Sequence, residues 1–137
     1  MKTKIIPILI LLAILITSCN GYGTKLEYQK TEVYYTSKVD KKEAQKLGDF
    51  LISTEFADGK RKSVQLTKDD ANGNYIFRMV TTKEASESKY YETIFKLFSK
   101  QISDSVFNKT PVDFHICDKT FKTLKVIPFE VEKNALQ

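Results

Sequence analysis

Ser88-Lys89-Tyr90-Tyr91-Glu92-Thr93-Ile94-Phe95-Lys96-Leu97-Phe98-Ser99-Lys100-Gln101-Ile102-Ser103-Asp104-Ser105-Val106-Phe107 leads, after a short break, into Pro111-Val112-Asp113-Phe114-His115-Ile116-Cys117. The spacing of apolar residues changes inside this stretch. Ile94, Leu97, Phe98, Ile102 and Val106 recur at helical spacing, which predicts an amphipathic helix docked through that stripe. Ser86 or Ser88 can cap it, since a serine side chain accepts from the free N–H groups of a first turn. From Pro111 the pattern alternates. Val112, Phe114 and Ile116 take one face of a strand, and Asp113, His115 and Cys117 take the other. A helix followed by a half-buried strand implies helices lying on one face of a sheet.

The same succession is legible upstream. Residues 26–36 read as a first strand, with Val33-Tyr34-Tyr35-Thr36 its strongest part. Asp40-Lys41-Lys42-Glu43 is a capping-box pattern opening a helix over about 41–54, in which Ala44, Leu47, Gly48 and Leu51 share a face. Ala57-Asp58-Gly59-Lys60 marks a turn, residues 63–67 alternate as a strand, and Asn72-Gly73 sits in a hairpin loop before a strand at 75–81. Downstream, Asp118-Lys119 is a turn, and residues 121–129 form a last strand that Pro128 fades at an edge. The order is β-α-β-β-α-β-β. It predicts a two-layer α+β sandwich of two helices on a mostly antiparallel sheet, a ferredoxin-like variant with one extra strand. The single domain is placed at 26–130, with a frayed tail at 131–137.

The chain has 137 residues, of which 42% are hydrophobic and 12% aromatic, with no Trp. That is a globular composition of single-domain size. Met1-Lys2-Thr3-Lys4 is a positive start, and residues 5–16 are apolar except for Pro7 and therefore too short to span a bilayer, which takes about 20 residues. Such a run is the hydrophobic region of a signal peptide. Ile16-Thr17-Ser18-Cys19 follows and resembles the lipobox of bacterial lipoprotein precursors. The resemblance implies removal of residues 1–18 as a signal peptide and attachment of diacylglyceryl and an N-acyl chain such as palmitate to Cys19. Two or more chains hold a protein stably on a membrane. Residues 19–25, rich in Gly21 and Gly23, then read as a short tether. The formal charge is +5, and loss of Lys2 and Lys4 with the signal leaves +3, too mild for a nucleic-acid footprint. Asn20 stands where an Asp commonly retains Gram-negative lipoproteins at the inner membrane, which favours the outer membrane where the source has one.

Glu32-Val33-Tyr34-Tyr35-Thr36, Ser63-Val64-Gln65-Leu66-Thr67, Phe77-Arg78-Met79-Val80, residues 112–118 and Phe121-Lys122-Thr123-Leu124-Lys125-Val126 are similar to a small domain that recurs in uncharacterised bacterial membrane-associated proteins. That resemblance implies no activity and transfers no functional residue.

Candidate chemistry gathers at Asp113, His115 and Cys117, which share one strand face about 6.5–7 Å apart. A thiol beside an imidazole can be activated or can bind metal. Yet His115 is the only His, and Cys117 the only Cys besides Cys19. A closed zinc site takes four good ligands, so no metal and no cofactor is expected. Phe77-Arg78-Met79 and the Tyr-rich first strand resemble an RNA-binding sheet, but the Gly-aromatic signature is missing, which argues against nucleic acid. Tyr34-Tyr35 and Tyr90-Tyr91 read as packing, and Lys60, Lys62, Lys96, Lys100, Lys122 and Lys125 as solvated faces. There is no phosphate loop, nucleophile elbow or His-Glu-x-x-His pair. The expectation is a non-catalytic binding or accessory module of the cell envelope. It would hold the membrane through Cys19 and an envelope protein through its open sheet face or an edge strand. The alternative is a thiol- or metal-dependent site at His115 and Cys117.

Overall fold

The computed structural model describes residues 21–131. The expected signal peptide, Cys19, the start of the expected tether and the expected tail from 132 lie outside the described residues.

The elements are β1 (Thr24–Tyr28), β2 (Thr31–Tyr35), α1 (Lys41–Ser53), β3 (Lys62–Lys68), β4 (Tyr75–Val80), α2 (Lys83–Glu87), α3 (Lys89–Val106), β5 (Val112–Cys117) and β6 (Thr123–Ile127). The strands form one six-stranded sheet in the order β1-β2-β3-β4-β5-β6. Hairpins β1–β2, β3–β4 and β5–β6 are antiparallel, and helical crossovers make β2–β3 and β4–β5 parallel. The helices pack on one face, so the fold is mixed α+β with a mostly antiparallel sheet.

Three expectations are corrected. The first strand is a hairpin, because Gln29 and Lys30 both adopt positive φ (49° and 67°) and turn the chain between Tyr28 and Thr31. Two successive positive-φ residues make the turn whose twist matches a hairpin, normally signalled by Asn-Gly. The second helix is two, because Ser88 is extended (ψ 123°), ending α2 and capping α3 through its bond from Tyr91 N–H. Strands adjacent in sequence are adjacent in the sheet, whereas a ferredoxin-like unit splits its βαβ halves. The two-helix ferredoxin-like variant is therefore not the topology.

Sheet register sets the faces. Val33, Val64 and Met79 align, as do Leu66, Phe77 and Phe114, all pointing to the helices. Val112, Phe114, Ile116 and Ile127 complete this layer with Leu47, Leu51, Phe95 and Ile102 from the helices. Each such Val, Leu, Ile or Phe contributes about 1.5–3 kcal/mol by leaving water. Asp40 caps α1 by accepting from Glu43 N–H at 2.7 Å. Glu43 makes an ion pair with Lys68 at 3.5 Å instead of completing the capping box. Tyr28 lies flat against α1 at Gly48, where a Cβ would stand 2.1 Å from the ring.

On α3 the buried residues are Phe95, Ser99, Ile102 and Ser103. Ile94 is 37% and Leu97 59% exposed, so the expected docking stripe is rotated by about one residue. Two of these four buried side chains are serines. Ser103 Oγ donates to Thr110 O at 2.7 Å. Phe98 packs half-buried against Phe50, Phe56 and Phe77.

Candidate functional site

The open face of the sheet carries the polar residues singled out in the sequence. Register puts Tyr34, Gln65, Arg78, His115 and Val126 in one row across five strands. Arg78 is the centre of that row. Its guanidinium donates to Gln65 Oε1 at 2.7 Å, to Thr123 Oγ1 at 3.0 Å and to the carbonyl of Phe121 at 2.5 Å. Gln65 in turn donates through Nε2 to the carbonyl of Tyr22 at 2.8 Å. Two segments are thus fastened over the open face, one preceding β1 and one from the β5–β6 turn.

Their aromatic rings meet above the sheet. Tyr22, Tyr34 and Phe121 form three edge-to-face pairs with centroids 5.0–5.8 Å apart. Such pairs contribute about 0.5–1.5 kcal/mol beyond burial. Cys117 and Val80 lie beneath them in a second, smaller core. Phe121 holds a positive φ of 59°, which closes its loop over the thiol. Tyr22, within the segment read from sequence as tether, therefore packs onto the sheet.

The three sequence-selected side chains are used separately. Asp113 accepts from Asn74 Nδ2 at 3.3 Å and from Phe129 N–H at 2.9 Å, tying the start of β4 to the end of β6. His115 is half-buried. Burial holds its imidazole below the usual value, the charge of Arg78 adds to this, and Asp113 and Asp69 oppose it. Cys117 is fully buried, and its thiol donates to the backbone carbonyl of His115 at 3.8 Å. Burial pushes that thiol up, against the opposing charge of Arg78. A reactive thiol needs the reverse, an exposed and electropositive setting that lowers its pKa. Among the described residues, no group of three or more His, Cys, Asp or Glu is placed to hold a metal ion.

At the edge of this face Glu32 is buried and accepts from Tyr34 Oη at 2.5 Å and from Arg61 Nη2 at 3.2 Å. The Tyr34 hydrogen bond, more than the charges of Arg61 and Lys25, holds the Glu32 carboxyl below its ordinary value, against the opposing effect of burial. No local pattern marks Arg78 as a hub, since its partners lie 13 to 45 residues away. Val126 stays exposed on this face (49%), and a longer run of exposed apolar side chains lies on α3. Tyr90 (71%), Tyr91 (45%), Ile94 (37%) and Leu97 (59%) run along the outer side of α3. Within the described residues, no helix is long and apolar enough to cross a membrane.

Residues 25–128 match a protein-family model, AF_1994_N, described as a family N-terminal domain. Neither a curated protein nor a solved structure matches the chain.

Proposed function

The chain belongs to the AF_1994_N family, and on that premise we propose that it is a lipid-anchored accessory module of the bacterial cell envelope that binds a protein partner and performs no chemistry of its own. The anchor is the lipid on Cys19, read from Ile16-Thr17-Ser18-Cys19. The single observation that carries the binding role is the α3 ridge of Tyr90, Tyr91, Ile94 and Leu97. Contiguous exposed apolar side chains on a small domain mark interaction surfaces. The centre of the open sheet face, where a partner was expected from sequence, is occupied by Tyr22 and Phe121, which leaves the α3 ridge as the longest run of exposed apolar side chains among the described residues.

The non-catalytic reading is supported by how the polar groups are spent. Asp113 ties strands together, Arg78 holds two covering segments, and Cys117 is buried with a raised pKa. The test is cross-linking in the native membrane from a photoreactive residue placed at Leu97, with one at Ser53 as control. A discrete adduct from Leu97, absent from Ser53 and abolished by Ile94→Glu, is expected. No specific adduct from α3 overturns the binding assignment.

A further inference from the structure

Tyr22 is the third residue after Cys19, and it is fixed at both its ring and its carbonyl. The ring packs edge-on to Tyr34 and Phe121, and the carbonyl accepts from Gln65. On its C-terminal side the chain is held again. Gly23 has a φ of 98° and crosses β2 so closely that a Cβ there would stand 2.2 Å from Tyr35 O. Only glycine fits both the conformation and the approach. On its N-terminal side, Gly21 borders a hollow with Thr36, Ser37 and Val39 at the end of the sheet. Residues 21–24 are therefore a seated strap, not a swinging linker.

Chain length then sets a distance. Three fully extended residues reach at most about 11 Å, and two reach about 7 Å. The headgroup layer on each side of a bilayer is about 5–7 Å deep. If Cys19 carries its acyl chains at the boundary of the hydrocarbon, Gly21 stands within the headgroup layer or at most about 2 Å beyond it. We propose that the strap clamps the bilayer surface against the sheet end formed by Gly21, Thr36, Ser37 and Lys38, so that the domain is held in a fixed orientation on its membrane. This rests on the lipid-anchor reading of Cys19 and adds to it the face that meets the lipid. The contact is set by geometry rather than by charge, because Lys38 is already paired with Asp70 at 2.8 Å.

Helix α1 supplies a ruler. It starts beside Ser37 and carries Ser53 to the far end of the sheet over 13 residues, about 20 Å. The experiment uses the lipidated protein in a Cys117→Ala background, with an environment-sensitive dye on Ser37→Cys or on Ser53→Cys. It is bound to phosphatidylcholine vesicles carrying a headgroup-attached quencher, with and without phosphatidylglycerol. Flotation with the vesicles reads the anchor, and the quenching ratio reads the clamp. Quenching several-fold stronger at position 37 than at 53, unchanged by the anionic lipid, is expected. A flexible Gly-Ser insertion between Asn20 and Gly21 leaves every strap contact in place and should collapse that ratio, as should Tyr22→Ala. Flotation with equal quenching at both positions overturns the clamp while leaving the anchor standing. Failure to float overturns both.

Discussion

At the residue scale, His115 links the open face to pH. Its imidazole is held below its usual value by burial and by Arg78, with Asp113 and Asp69 pulling the other way. The unfolded chain therefore takes up the proton first as the pH falls below about 6.5. Stability is fully present above that value and is lost as the pH drops toward the folded pKa. His115→Gln should flatten the loss of urea midpoint between neutral and mildly acid pH. An unchanged slope would mean that other groups carry the dependence. The alternation that put Asp113, His115 and Cys117 on one face was legible because strand period is a local property. What covers that face was not, because Tyr22 and Phe121 are brought together by Arg78 and Gln65 across the sheet.

At the scale of elements, α3 separates pattern from packing. Its apolar residues occur on two neighbouring stripes, one through Phe95, Phe98 and Ile102 and one through Tyr90, Ile94 and Leu97. Counting apolar residues favours Ile94 over the serines at 99 and 103, yet the serines are buried and Ile94 is exposed. Phe95→Ala should cost about 3–5 kcal/mol, as expected for emptying a core aromatic site. Ile94→Ala, on the exposed ridge, should cost under about 1 kcal/mol, within the range of substitutions that miss the core. Denaturant titration of both variants checks this, and equal losses would put the two stripes on equal footing. Helix α1 presented no such conflict, and its buried set is the expected Ala44, Leu47, Gly48 and Leu51. The β1–β2 hairpin was hidden for the opposite reason. Gln29 and Lys30 take positive φ without the glycine or asparagine that announces it.

At the scale of the whole molecule, three sequential hairpins joined by helices give one layer of helices and one open sheet face. The helix layer holds the core, and the open face holds the N-terminal strap. If Cys19 is lipidated as proposed, that division lets a small domain sit tightly on its anchor while its outer helix stays available. The central claim is that Cys19 is the membrane attachment point. The most direct measurement follows incorporation of labelled palmitate and the size of the protein in cells making wild type or Cys19→Ser. Wild type should incorporate label and shorten by its first 18 residues, and Cys19→Ser should do neither. Label and normal processing retained in Cys19→Ser, or an unlabelled full-length wild type, would contradict the account.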